Sequence, residues 1–122
     1  MRSLLITVPL PSQVLSPNAR PNRFRLASAK KRYRLDCGIA VLAAIRAAGL
    51  TGLPWRRATV RPTFFVATRG NRDVDNAGAS LKSCFDSFQD AGLIVNDSGL
   101  VPLPVEFVVS ADRRVELLVT EV

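Results

Sequence analysis

The sequence predicts an α+β fold in one domain, in the order β-α-β-α-β-β, with two main helices packed on a mixed sheet. Three observations predict it. The chain has 122 residues and 48% hydrophobic content, which suits a single core. Its apolar residues alternate at a spacing of two in four short runs and recur every three or four residues in two longer ones. The two kinds of run interleave, and no internal repeat or low-complexity tract interrupts them.

The first run, "SLLITV" (3–8), reads as a strand closed by Pro9 and Pro11. Residues 12–28 are polar, contain Pro17, Asn18, Pro21 and Asn22, and read as a long loop. From about Ala29 to Ala48 the pattern is helical. Leu35, Ile39, Leu42, Ala43 and Ile45 supply the apolar face, and Gly49 the stop. "ATVRPTFFVAT" (58–68) reads as a strand whose Pro62 points to an edge or a bulge. A second helix is expected from Gly78 or Ala79 to about Ala91. Leu81, Phe85 and Phe88 form its stripe, with Cys84 beside them, and Gly92 ends it. The last two runs, "VEFVVS" (105–110) and "RVELLVT" (114–120), read as a hairpin turning at Ala111–Arg113.

Composition narrows the chemistry. Seventeen Lys and Arg against ten Asp and Glu give a net charge of +7, which favours a polyanionic partner, nucleic acid first. No run reaches the ~20 apolar residues of a membrane helix, and no basic amphipathic helix with aromatic anchors marks a membrane surface. "MRSLLITVPLP" ends in prolines without an A-x-A-like cleavage site, so it reads as a strand and not as a signal peptide. Two cysteines, Cys37 and Cys84, form no C-x-x-C pair, and the chain has no histidine. Zinc is therefore not expected, and two reduced cysteines suit a cytoplasmic protein. The missing histidine removes Ser-His and Cys-His nucleophile pairs and a histidine general base. Hydrolysis, if present, must use carboxylates, lysine and metal ions.

The acids are not spread evenly. Residues 71–97, "NRDVDNAGASLKSCFDSFQDAGLIVND", hold five of the ten. Asp73 and Asp75 leave one face if the chain is extended there. Asp97 follows the second helix, which spans roughly 20 Å. It returns to the Asp73/Asp75 end only if "LIV" runs back extended, since five residues reach at most about 17 Å. Three carboxylates brought together repel unless protonated or neutralised by cations. Oxygen ligands without His or Cys suit Mg²⁺, or Mn²⁺. Arg69, Arg72 and Lys82 stand nearby to hold a phosphate. The plainer alternative makes Asp73 and Asp75 turn residues with Asn76 as a cap, and pairs Lys82 with Asp86. Asp90, near the helix end, reads as a surface acid.

The segment "RDVDNAGASLKSCFDSFQDAGLIVND" resembles the central motif of the RusA family of Holliday junction resolvases: R-D-x-D-N, a lysine, an F-D, an A-G-hydrophobic run and a final D-D. "ITVPLPSQVLSPNAR" and "RRVELLVTEV" are similar to the family's opening strand and Pro/Asn loop and to its closing strand. The resemblance implies a homodimeric, Mg²⁺-dependent endonuclease that acts on four-way DNA junctions, as in phages and prophages. By position, Asp73, Asp75 and Asp97 match the metal-binding aspartates, Lys82 the catalytic lysine, and Arg72 the arginine before the first aspartate. There are two departures. The stretch from Asn76 to Lys82 is longer by three residues than in the best-known member, and Asn96-Asp97 replaces Asp-Asp.

On this reading Lys82 stabilises charge on the phosphate, Arg72 positions it, and a bound metal ion activates water. Affinity for branched DNA is expected from Arg20, Arg23, Arg25, Lys30, Lys31, Arg32 and Arg34, seven of the seventeen cations, together with Arg69. Phe24 and Tyr33, interleaved among them, are expected to stack on bases. Two alternatives remain: a non-catalytic basic nucleic-acid-binding protein, and a less selective metal nuclease on forked or branched DNA.

Overall fold

A computed structural model describes all residues, 1–122. It has the expected α+β architecture: one five-stranded mixed sheet with the two main helices packed against it. The strands are β1 (Ser3–Val8), β2 (Ala58–Val66), β3 (Leu100–Pro102), β4 (Glu106–Val109) and β5 (Arg114–Glu121). The helices are α1 (Arg23–Ala48), α2 (Val74–Ala79) and α3 (Lys82–Asp90), and single 3₁₀ turns lie at Gln13–Leu15 and Asp97–Gly99.

The sheet runs β1-β5-β2, and β3 and β4 share the far flank of β2 in tandem. β1 and β2 both lie antiparallel to β5, whereas β3 and β4 lie parallel to β2. Period-two burial fixes which face is covered. Leu4, Ile6 and Val8 of β1, Ala58, Val60, Phe64 and Val66 of β2, and Val115, Leu117 and Val119 of β5 are all buried. They meet Tyr33, Cys37 and Val41 of α1 and Cys84, Phe85 and Phe88 of α3, in one core of 22 residues. Leu5 and Leu118, in register across β1 and β5, lie exposed on the open face.

Four expectations need correction. α1 begins at Arg23, six residues before Ala29, because Asn22 caps it: its side chain accepts a hydrogen bond from Arg25 N at 2.8 Å. Its buried residues are Tyr33, Cys37 and Val41, and Leu35, Ile39 and Leu42 are exposed. β4 and β5 are not a hairpin. β2 lies between them, so the Ser110–Arg113 turn wraps around the end of β2, held by Ser110 N donating to Val66 O at 2.8 Å.

Pro62 lies in the central strand, not at an edge. Leu103 N donates to Val60 O and Ser110 N to Val66 O, so even-numbered residues of β2 turn their backbone groups to the β3/β4 flank. β3 pairs with residues 58–60 and β4 with residues 63–66. Pro62 therefore directs its missing N–H at the gap between them, where no donor is required.

Candidate functional site

Asp73 is extended (φ −94°, ψ 124°) and is the N-cap of α2, with its Oδ1 accepting from Asn76 N at 3.0 Å. The cap expected at Asn76 is thus Asp73 itself. Asp75 sits in the first turn of α2 and not in an extended segment, so the two carboxylates do not leave one face of a strand. They open into different concavities. Asp73 lines a cavity of about 430 Å³ with Arg72, Asn76 and Arg113. Asp75 lines a separate groove with Lys82, Phe85 and the Pro102–Val105 segment.

The second expected helix, from Gly78 or Ala79, forms as α3 from Lys82, and the separate short helix α2 precedes it, with Ser80–Leu81 between. The break places Lys82 at the first position of α3, over a core of Leu81, Cys84, Phe85 and Phe88. Gly92 (φ 76°) then reverses the chain, and Leu93 and Ile94 run back, fully buried. They are held to Trp55 by Trp55 N donating to Leu93 O at 2.8 Å and Val95 N to Trp55 O at 2.9 Å. The return delivers Asp97 to the start of α3, where its Oδ2 lies 3.7 Å from Lys82 Nζ.

Asn96 has its own task there. Its side chain accepts from Ser98 N at 3.0 Å and caps the 3₁₀ turn that carries Asp97. Gly99 closes the turn against Arg56, and a Cβ at this position would lie 2.1 Å from the Arg56 carbonyl oxygen.

Lys82 Nζ donates to Asp86 Oδ1 at 2.5 Å, so the pair expected under the plainer alternative forms as well. The Asp86 hydrogen bond, with Asp97 adding to it, raises the Lys82 pKa above its ordinary value. The ammonium is therefore fully charged at neutral pH. In the loop before Asp73, Arg72 Nε donates to Thr68 O at 3.0 Å, and Arg69 donates to Arg72 O at 3.1 Å. The Arg69 guanidinium also stacks 4.4 Å from the centre of the Phe107 ring. Both arginines are fixed in the 68–72 loop, each with further N–H donors to offer.

No group of three or more Asp, Glu or Cys side chains is gathered to hold a metal ion. Asp97 lies beside Lys82 and Asp75 lines the same groove as Lys82, whereas Asp73 lines a separate cavity. The donors present, carboxylate oxygens at an exposed edge, fit the chemistry of Mg²⁺. That ion is usually held by one or two carboxylates and completes its shell with water and phosphate oxygens. They do not make a three-carboxylate cage.

The seven cations from Arg20 to Arg34 are all exposed, and α1 buries nothing before Tyr33. Two of the cations have acidic partners. Arg34 forms a bidentate pair with Asp90, at 2.5 and 2.7 Å, and Arg32 approaches Asp36 at 3.4 Å. Asp90 thus ties α3 to α1, and Arg34 holds its carboxyl below the usual range. Phe24 is 73% exposed with Arg23 over its ring. Tyr33 is buried, its hydroxyl donating to Pro9 O at 2.7 Å, so it is not available to stack on a base.

One feature escaped the sequence reading. Asn22 and Asn96 commit their amide oxygens to helix caps, but Gln13, Asn18, Asn71 and Asn76 all line the cavity that holds Asp73. Phe64 and Phe107 form its apolar wall. The Pro/Asn-rich loop was the available signal; that it folds over residues 71–76 is not visible in the chain order.

No family model and no curated protein matches this chain.

Proposed function

We propose that the protein is a Mg²⁺-dependent endonuclease that hydrolyses phosphodiester bonds in branched DNA, in the manner of the junction resolvases whose central motif its sequence resembles. The observation that carries the reading is the return of Asp97 to Lys82. A buried extended segment brings an acid from beyond α3 back to the lysine at its start, beside the groove that Asp75 lines. A structural role for Lys82 needs only Asp86; the second acid is left to explain.

In this reading Asp75 and Asp97 would hold the metal ion, and Asp73 lines the separate cavity beside Arg72. The ion, when bound, polarises the phosphate and lowers the pKa of attacking water. Lys82 offers its ammonium to the charge that builds on the phosphate oxygens. Arg72 and Arg69 orient the phosphate from the 68–72 loop. Arg20, Arg23, Arg25, Lys30, Lys31 and Arg32 grip neighbouring phosphates, and Phe24 offers an exposed ring to a base. Amide side chains can read base edges, so Gln13, Asn18, Asn71 and Asn76 supply a sequence preference at the cut. A two-fold dimer would present two such sites to a near-symmetric junction.

The separation of Asp73 from Asp75 favours one competing reading, a DNA-binding protein without catalysis. A labelled four-way junction, a fork and a linear duplex, each incubated with and without Mg²⁺, distinguish the two. Paired symmetric nicks in the junction, only with Mg²⁺, are expected. Cutting of all three substrates indicates a less selective metal nuclease. A mobility shift without product indicates the non-catalytic protein.

A further inference from the structure

Side chains that read base edges within a duplex project into its grooves, from a helix or a ribbon. The amides beside Asp73 are gathered inside a cavity instead. Gln13 and Asn18 come from the loop after β1, Asn71 from the 68–72 loop and Asn76 from α2. None of these four side chains hydrogen-bonds within the protein; Asn18 and Asn76 engage only through their backbone N–H groups. Phe64 and Phe107, with ring centres 5.7 Å apart, supply the apolar wall.

The cavity has fixed walls. Tyr33 ties the loop after β1 to α1 through Pro9 O. Ser12 and Ser16 accept from Val14 N and Asn18 N and so shape the stretch that carries Gln13 and Asn18. Its volume, about 430 Å³, lies within the ~300–1,000 Å³ of small-molecule sites.

The lining selects a ligand class. Four amides offer donors and acceptors together. The rings offer a surface on which a base can stack. Arg72 and Arg113 line the same cavity, and neither forms an ion pair, whereas Arg114 is tied to Asp112 and Glu116. Asp73, the one acid in the lining, keeps its second oxygen for an N–H donor. A neutral sugar would leave the guanidiniums idle, and a bare phosphate would leave the amides and rings idle. A nucleotide uses all of them.

We infer that the cavity takes one nucleotide swung out of the DNA at the branch point. Its base lies between the phenylalanine wall and the amides, and its adjoining phosphates meet Arg72 and Arg113. This rests on the reading of branched DNA as the partner, and it does not require metal-dependent cutting. Placement supports it. Asp73 in the cavity and Asp75 in the Lys82 groove are two residues apart, so at most about 7 Å of chain separates the two concavities. A strand with one phosphate at Lys82 has a neighbouring nucleotide within reach of the cavity. Extrusion costs least where pairing and stacking are already broken, so the cavity also favours a crossover over a linear duplex.

The fluorescence of 2-aminopurine rises when it leaves the base stack, and it tests the inference without cleavage. The probe is placed in turn at each position flanking the crossover of a four-way junction, in EDTA, with a mobility shift run on the same samples. Wild type is expected to raise emission about fivefold or more at one position, and to leave a linear duplex unchanged. Ala67→Phe puts a ring into the cavity from an exposed loop position. Asn18→Ala combined with Asn71→Ala removes two of the amides. Both variants are expected to keep the wild-type circular dichroism, to shift the junction within about threefold of the wild-type concentration and to lose most of the rise. A bound junction with no rise at any position overturns the inference and leaves the DNA reading standing. A rise that both variants keep in full assigns the unstacking to the junction itself and also overturns it. A junction that is not bound at all removes the DNA reading, and this inference with it.

Discussion

At the scale of single residues, Asp73 has two duties that substitution separates. It caps α2 through Asn76 N, and it puts a carboxylate in the cavity that Arg72 also lines. Asn caps about as well as Asp, whereas Ala does not. Asp73→Ala should therefore cost about 1 kcal/mol in urea unfolding. Asp73→Asn should leave stability within a few tenths and still impair Mg²⁺-dependent cutting. Asp90 gives a pH signature. Its folded pKa is lowered, chiefly by the Arg34 hydrogen bond, so the stabilisation is present above the ordinary carboxylate range and is lost as pH falls through the folded value. NMR titration should place Asp90 below 3.8, and Arg34→Ala should return it toward that value. Both groups are about half exposed, so the effect on overall stability should stay within about 1 kcal/mol.

At the scale of elements, legibility followed from whether a residue's role depends on near or distant neighbours. The α3 stripe was readable because Leu81, Phe85 and Phe88 are the only large apolar residues spaced for a helix there. α1 was misread because periodicity reports that a helix has an apolar face but not which way it turns. The sheet took Tyr33, Cys37 and Val41, with small Ala40 and Ala44 beside them, and left the leucines outside. Residues 105–120 satisfy every local rule for a hairpin, and only the insertion of β2 between the strands denies it. The return of Asp97 was legible as a distance, but the Trp55 contacts that hold it were not. Gly99 is the tightest point of that return. Gly99→Ala should cost about 1–3 kcal/mol by thermal unfolding, because the 3₁₀ turn must move off the Arg56 carbonyl. It should carry Asp97 away from Lys82 and reduce cutting more than DNA binding.

At the scale of the whole molecule, the charge of +7 is gathered toward one end, with six exposed cations on the first twelve residues of α1. Binding driven by these phosphate contacts should weaken linearly as log salt rises, with a slope of about −0.9 per phosphate neutralised. Replacing Lys30 and Lys31 with Gln should reduce that slope by about two and lower affinity evenly across DNA sequences. Neither change should disturb folding, since both side chains are exposed. No helix is long and apolar enough to cross a membrane.

The most direct measurement puts binding and cutting on one gel. A labelled four-way junction is mixed in Mg²⁺ with wild type, Asp75→Asn or Asp97→Asn. Either substitution is expected to preserve the mobility shift while product formation falls about 100-fold or more. A variant that cuts at the wild-type rate would contradict the assignment of these two acids as the site of a metal-dependent hydrolysis.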